Sequence, residues 1–221
     1  MKVYAPMDQR LALSDVAAHA RRAESLGYHG LLVPEAVHDG FLMALRALEH
    51  TRRLRVATSV VVAFARSPTV VAQAAWDLQA LSGGRFELGL GSQIRANLEG
   101  RFGVPWQPPV PRMREYVGAL RAVWECWQQG TRLDFRGEHY RLDRMQPFFR
   151  PEPLEVGDVP IHLAAINPRM ARLAGEAAEV LVTHPTNTGP RYLREVLQPS
   201  LERGGSERAG PAAEILAGGF I

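Results

Sequence analysis

The stretch SGGRFELGLGSQ, residues 82–93, joins a glycine turn to an apolar run that ends in Gly89-Leu90-Gly91. Two interpretations fit it: the phosphate loop of a dinucleotide fold, or the end of a strand where another ligand binds. The dinucleotide fingerprint needs a third glycine, and Ile94 occupies that position. The residues that follow predict a proline-rich loop rather than an immediate helix. The pattern therefore predicts a strand whose last turn exposes backbone amides to a ligand.

Outside this stretch, short apolar runs alternate with amphipathic segments. The runs predict strands at residues 2–5, 30–34, 55–62, 85–91, 161–165, 180–183 and 214–221. Helices are predicted between them, and Ser14 is assigned as the cap of the first helix. This alternation is typical of a parallel sheet, either doubly wound or closed into a barrel, with ligands at the carboxyl ends of its strands. An irregular segment at 130–160, with a hairpin around Arg136-Gly137, interrupts it.

The composition excludes several classes of function. Lys2 is the only lysine, which excludes a phosphate-loop lysine, a kinase-type lysine and a second lysine for a Schiff base. The net charge is +3 and no aromatic-interleaved basic stripe occurs, so no nucleic-acid partner is expected. No metal-ligand spacing and no GxSxG nucleophile elbow are present.

The cellular location is predicted from what the sequence lacks. Cys126 is the only cysteine, so no intramolecular disulfide can form. The first residues contain no signal-peptide core, and no apolar run approaches the ~18 residues of a membrane span. We expect a cytoplasmic protein without membrane contact.

Three motifs in order carry a resemblance to a known family. They are TSV (58–60) followed by RSP (66–68), SGGRFELGLG (82–91) and RMARLAGE (169–176). The chain resembles the luciferase-like monooxygenase family, and within it the oxidoreductases that use the deazaflavin coenzyme F420. The resemblance implies a single α/β domain over residues 1–221, a (β/α)8 TIM barrel with an insert between strands 4 and 5. Residues 130–160 fall where that insert is expected.

The number of predicted strands departs from a closed barrel. Seven strands are predicted, whereas a closed barrel has eight. We expect a barrel truncated after the seventh strand, with strand 8 and the last helices missing. Either the chain is a fragment or a partner covers the gap. An exposed edge strand invites aggregation, which favours the fragment.

The resemblance implies a cofactor site at the strand ends. Ser59 and Val60 match the position of a non-prolyl cis peptide under the flavin ring. Amides at the loop after residue 90 would bind the ring edge, and free N–H groups before Pro168 suit a phosphate or ring carbonyl. Ordinary turns and helix caps are the alternatives at each place. The predicted cofactor-binding residues are Ser59, Val60, Gly91, Ser92, Gln93, Ala165, Ile166, Asn167, Thr188 and Arg191.

The predicted catalytic residue is His38 or Glu35, as proton donor to substrate or deazaflavin. The alternative is that His38 and Asp39 only cap a helix. Asp39, Phe64 and His184 are predicted to line the substrate pocket.

The predicted activity is hydride transfer between coenzyme F420 and a small organic substrate. One alternative is an FMN-dependent monooxygenase that uses reduced flavin and oxygen on the same scaffold. Another is a non-catalytic remnant or partner subunit. The partner expected is a small-molecule substrate, and a homodimer is considered.

Overall fold

Strands and helices alternate throughout the computed structural model, which describes residues 1–184, 189–206, 208 and 211–218. The strands are β1 (Tyr4–Pro6), β2 (Gly30–Val33), β3 (Arg55–Thr58), β4 (Val61–Val62), β5 (Phe86–Gly91), β6 (Phe135–Arg136), β7 (Arg141–Leu142), β8 (Ile161–Ala164), β9 (Val180–Val182) and β10 (Glu214–Leu216). The helices are α1 (Val16–Ser25), α2 (Gly40–Glu49), α3 (Pro68–Ser82), α4 (Arg95–Gly100), α5 (Pro109–Gln129), α6 (Pro168–Ala177), α7 (Pro190–Tyr192) and α8 (Gln198–Gly205). A π-helical turn at Leu193–Leu197 joins the last two, and 3-10 turns occupy Ala63–Ala65 and Pro147–Phe149.

The main sheet is parallel, with the strand order β1-β2-β3-β5-β8-β9-β10. The third predicted strand is split, and its second half, β4, pairs with β5. Within the described residues the sheet therefore has seven positions, one fewer than a closed barrel. This arrangement confirms the predicted α/β fold of TIM-barrel type.

Side-chain bonds between distant strands show how strongly the sheet curls. The hydroxyl of Tyr4 on β1 donates to Glu87 on β5 at 2.9 Å, although two strands lie between them. Across a flat sheet these strands would be roughly 14 Å apart, so the face that carries both side chains is concave. Lys2 donates to Glu214 at 2.9 Å, which joins the region of the first strand to the last.

The concave face carries a buried polar group near the amino-terminal ends of the strands. Glu87 accepts hydrogen bonds from Tyr4 and Arg55, and His162 Nε2 lies 3.6 Å from Glu87. Burial, and then the charge of Glu87, raise the pKa of Tyr4, so its phenol stays protonated and donates. Burial also lowers the pKa of His162. These polar groups therefore lie at the end of the sheet opposite the carboxyl ends of its strands.

Two local predictions were wrong. Asp15, rather than Ser14, is the N-cap residue of α1, and the Ser14 hydroxyl donates to the Asp15 carboxylate instead. The loop after Gly91 contains the short helix α4. The Gln93 side chain accepts from the N–H of Ile94, the residue that precedes this helix.

The irregular segment contains the predicted hairpin, with β6 and β7 paired antiparallel. Glu115 on α5 fastens it, because its carboxylate accepts from the backbone N–H groups of Glu138, His139 and Tyr140 at 2.7–3.2 Å. Burial alone would raise the pKa of Glu115, but these donors outweigh it and lower the pKa. A carboxyl with a lowered folded-state pKa stabilises the hairpin above its ordinary pKa. That stabilisation is lost as the pH falls through the lowered value.

Glu115→Gln reproduces the acid state of this carboxyl at neutral pH. We expect amide protection at residues 138–140 to fall about tenfold, the equivalent of one charge-assisted hydrogen bond. Hydrogen exchange followed by mass spectrometry measures the change. The exposed Glu138→Gln removes a similar charge nearby and should leave protection unchanged. Equal protection in Glu115→Gln and the parent protein would show that the carboxylate does not hold the hairpin.

Candidate functional site

The third barrel strand breaks where the cofactor bulge was predicted. The Ser59–Val60 peptide is cis, as the resemblance implied, and it separates β3 from β4. Thr58 Oγ1 accepts from the Gly89 N–H at 2.8 Å and donates to the Gly89 carbonyl at 3.0 Å. A side chain at Gly89 would collide with the Thr58 carbonyl oxygen, and one at Gly91 would meet Val60 Cγ2 at 2.6 Å. Gly89 and Gly91 therefore leave the space that the bulge occupies.

The loop after β2 carries His38 between two acidic residues, Glu35 and Asp39, whose carboxylates are held by hydrogen bonds. Asp39 Oδ1 accepts from the N–H groups of Phe41 and Leu42, so Asp39 is the cap of α2. Glu35 Oε2 accepts from the Val62 N–H at 2.6 Å, and Arg66 donates to both Glu35 oxygens. His38 is half-buried, and within the described part of the chain no hydrogen bond is made by its ring.

The loop after β5 is organised differently from the prediction. Gly91 is buried and Ser92 is half-buried. Gln93 adopts a left-handed backbone conformation, with φ of 59°. Its side-chain oxygen accepts from Ile94 N–H at 2.9 Å and Asn97 Nδ2 at 3.1 Å. The Gln93 side chain therefore supports α4, and its predicted part in cofactor binding rests on its backbone.

The loop after β8 begins α6. Asn167 Oδ1 accepts from the Met170 N–H at 3.0 Å, so the side chain caps the helix. Ala165 is buried and its N–H donates to the Val182 carbonyl. Ile166 is exposed, and its carbonyl oxygen accepts from the Tyr192 hydroxyl at 3.0 Å. This loop exposes the Ile166 side chain, and the Arg169 N–H of the first helical turn has no intrahelical acceptor.

Four further residues were predicted to contact the cofactor or the substrate. Arg191 is exposed and paired at 3.0 Å with Glu195 in the π-helical turn that follows α7. His184 is exposed after β9. Phe64 is buried, with the Arg112 guanidinium 4.4 Å from its ring and Tyr116 packed edge-on. Thr188 lies outside the described residues.

Strand order brings most of the predicted site together. The bulge follows β3, Gly91 ends β5, and Ala165 follows β8. These three strands are neighbours in the sheet. His38 follows β2, the next strand on the other side of β3. Because carboxyl ends of parallel strands share one edge, these residues lie along a single rim. The described chain contains no cluster of His, Cys, Asp and Glu that could hold a metal ion. Nor does that part contain a helix long and apolar enough to cross a membrane.

Sequence reasoning missed two arginines near this rim. Arg66 joins Glu35 to Asp39, with Nη2 2.7 Å from Asp39 Oδ2. Arg112 covers Phe64 and donates to the Tyr140 hydroxyl at 3.0 Å. The signal for Arg66 was an arginine four residues after the third predicted strand, with two acids after the second.

Comparison with known proteins identifies the family. The family model described as luciferase-like monooxygenase matches residues 3–220. The chain belongs to this family. An uncharacterised Mycobacterium tuberculosis protein is 47% identical over 192 residues, which cover 87% of this chain and 56% of that protein. An F420-dependent glucose-6-phosphate dehydrogenase of Intrasporangium calvum is 31% identical over 207 residues, which cover 86% of this chain and 59% of that enzyme.

A solved structure has the same fold. The chain superposes on an F420-dependent secondary alcohol dehydrogenase in complex with an F420-acetone adduct, with a TM-score of 0.81. The two are 24% identical, and the match covers 98% of this chain and 68% of the other. The chain spans somewhat more than half the length of the curated relatives it matches.

Proposed function

We propose that this luciferase-like chain transfers a hydride between the deazaflavin coenzyme F420 and a small organic substrate. One observation carries the proposal: the Ser59–Val60 bulge, the Gly91 turn and His38 follow three adjacent strands of one sheet. The F420-dependent relative with 31% identity supports deazaflavin over FMN.

The residues at the rim suit a flat, partly polar ring system. Val60 is half-buried and Ile166 is exposed, so both offer apolar surface to the face of a ring. Pro168 has no N–H and Asn167 satisfies the N–H of Met170, but Arg169 keeps a backbone donor without an intrahelical acceptor. A donor at a helix start favours a carbonyl or phosphate oxygen. We expect Val60, Gly91, Ile166 and the start of α6 to hold the deazaflavin.

The deazaflavin, when bound, supplies the carbon that gives or accepts the hydride. The chain has to hold the substrate, exclude water and move one proton. When a substrate hydroxyl is oxidised, its carbon loses the hydride with both electrons and its O–H proton passes to a His38 ring nitrogen. In the reverse direction His38 returns that proton to the carbonyl oxygen.

His38 suits this role better than Glu35. Both oxygens of Glu35 accept from Arg66, and one also accepts from the Val62 N–H. A carboxylate held by these donors has little freedom to reach a substrate. We therefore propose His38 as the proton-transfer group.

Absorbance titration of the protein with F420 and, separately, with FMN tests the proposal. We expect saturable binding of F420 with an affinity at least about tenfold higher than for FMN, a difference of about 1.4 kcal/mol. Tighter binding of FMN would favour the monooxygenase alternative. Binding of neither cofactor would contradict the proposal and favour a non-catalytic partner or remnant.

A further inference from the structure

Three charged side chains join the loop after β2 to the end of the split third strand. We propose that this group, the Arg66 clamp (Arg66, Glu35 and Asp39), positions His38 relative to the cofactor bulge. The inference rests on the proposed function for its kinetic meaning, and on described contacts for its geometry.

The split strand creates the need for Glu35. Pairing between β2 and β3 ends at Val33 and Thr58, and β4 pairs with β5. On the side of β4 that faces away from β5, the Val62 N–H therefore bonds to a side chain instead of a strand carbonyl. Glu35 Oε2 accepts it at 2.6 Å. A carboxylate thus replaces a strand carbonyl directly beyond the bulge.

Arg66 connects this carboxylate to the cap of α2. Its guanidinium donates to Glu35 Oε2 at 3.0 Å, to Glu35 Oε1, and to Asp39 Oδ2 at 2.7 Å. The Arg66 and Glu35 side chains are 19% and 7% exposed, so solvent screens the pair little. Burial alone would lower the pKa of Arg66, but the bonds and charges of Glu35 and Asp39 raise it. The fork of the guanidinium fixes the two carboxylates relative to each other.

The clamp restrains both ends of the segment that carries His38. Glu35 is held on one side, and Asp39 caps α2 through the Phe41 N–H at 2.8 Å on the other. Between them, Arg101 donates to the Ala36 carbonyl at 2.8 Å. Because only three residues separate the two carboxylates, His38 has little freedom to move away from the bulge. A displacement of about 1 Å between reacting groups can cost about 100-fold in rate.

The double variant Arg66→Met/Glu35→Leu separates positioning from stability. Replacing a buried ion pair by apolar residues of similar volume is often neutral for folding, but Glu35→Leu also removes the acceptor of the Val62 N–H. We therefore expect a folded protein whose melting temperature is lower by a few degrees. We expect kcat to fall about 10- to 100-fold, with KM and the F420 dissociation constant nearly unchanged. Arg66→Lys keeps the charge but not the fork, and its kcat should lie between the two.

The matched control is Arg114→Met/Glu176→Leu, which removes an ion pair of 2.6 Å between two outer helices. Its kcat should equal that of the parent protein. A folded clamp variant with parental kcat would overturn the inference. If the double variant does not fold, Arg66→Lys decides alone: reduced kcat at unchanged KM supports positioning, and parental kcat overturns it.

Hydrogen exchange tests the geometry without any cofactor. The clamp predicts that Arg66→Met/Glu35→Leu, or Arg66→Lys if the double variant does not fold, reduces protection at residues 34–42 and 60–66 together. Loss at one segment only would overturn the inference. Failure of the parent protein to bind F420 would contradict the proposed function, and the exchange result would still decide whether the clamp couples the two segments.

Discussion

His38→Ala is expected to slow hydride transfer by about 10²- to 10⁴-fold, the usual contribution of one positioned acid–base group. The imidazole is the proposed acceptor of the substrate proton, and water can replace it only poorly. The side chain has no hydrogen bond within the described residues, so its removal should cost the fold little. F420 affinity should change by no more than about threefold, equivalent to less than 1 kcal/mol.

Single-turnover kinetics with bound F420 measure this loss directly. His50→Ala is a suitable control, because His50 is also half-buried and lies just beyond the opposite end of α2. Its Nδ1–H donates to the Arg46 carbonyl at 2.9 Å, away from the proposed site, so the substitution should leave the rate unchanged. If His38→Ala transfers hydride at the parental rate, another group moves the proton and His38 has no catalytic role.

The sequence predicted the fold well because two physical signals agree. Apolar runs of strand length alternate with amphipathic helices, and this alternation leaves few arrangements other than a parallel sheet. Helix ends were also marked locally, by Pro68 at the start of α3 and by Gly27 after α1. The resemblance, rather than periodicity, separated a barrel from a doubly wound sheet. Tyr4 and Glu87 show the curl only once both strands are placed.

The break in the third strand could not have come from the residues alone. The run from Arg55 to Val62 is continuously compatible with one strand, and nothing in its composition marks Ser59. Gly89 and Gly91 were visible, but their purpose depends on a neighbouring strand that approaches closely in space. The motif order supplied the cis peptide, which the structure contains.

Side-chain partners were the least predictable part of the site. Gln93 and Asn167 stand in loops that the resemblance assigns to the cofactor. The Asn167 side chain instead caps α6, and the Gln93 side chain bonds to Ile94 and Asn97 at the start of α4. Polar side chains near helix starts often satisfy the free backbone donors there, and sequence cannot tell which partner is chosen. The same holds for Arg66, because its two carboxylate partners lie 27 and 31 residues away in the chain.

Gly89→Ala is expected to destabilise the protein by more than about 3 kcal/mol, an effect that normally marks a specific steric defect. The added Cβ would collide with the backbone carbonyl oxygen of Thr58, and no side-chain rotation removes that contact. Chemical denaturation followed by circular dichroism measures the loss. Gly100→Ala is the control, because nothing lies within 4 Å of its added Cβ. A stable Gly89→Ala protein would mean that β3 and β5 can separate without cost.

Gly91→Ala distinguishes a steric cause from a general need for glycine at the turn. Its Cβ would meet only the end of a side chain, Val60 Cγ2 at 2.6 Å, so we expect a loss of about 1–3 kcal/mol. Val60→Ala removes that methyl group, and the double variant Gly91→Ala/Val60→Ala should regain at least half of the loss caused by Gly91→Ala. Such recovery is an interaction energy between residues in contact. Strictly additive losses would instead place the requirement in the backbone conformation of Gly91, and the two side chains would then be independent.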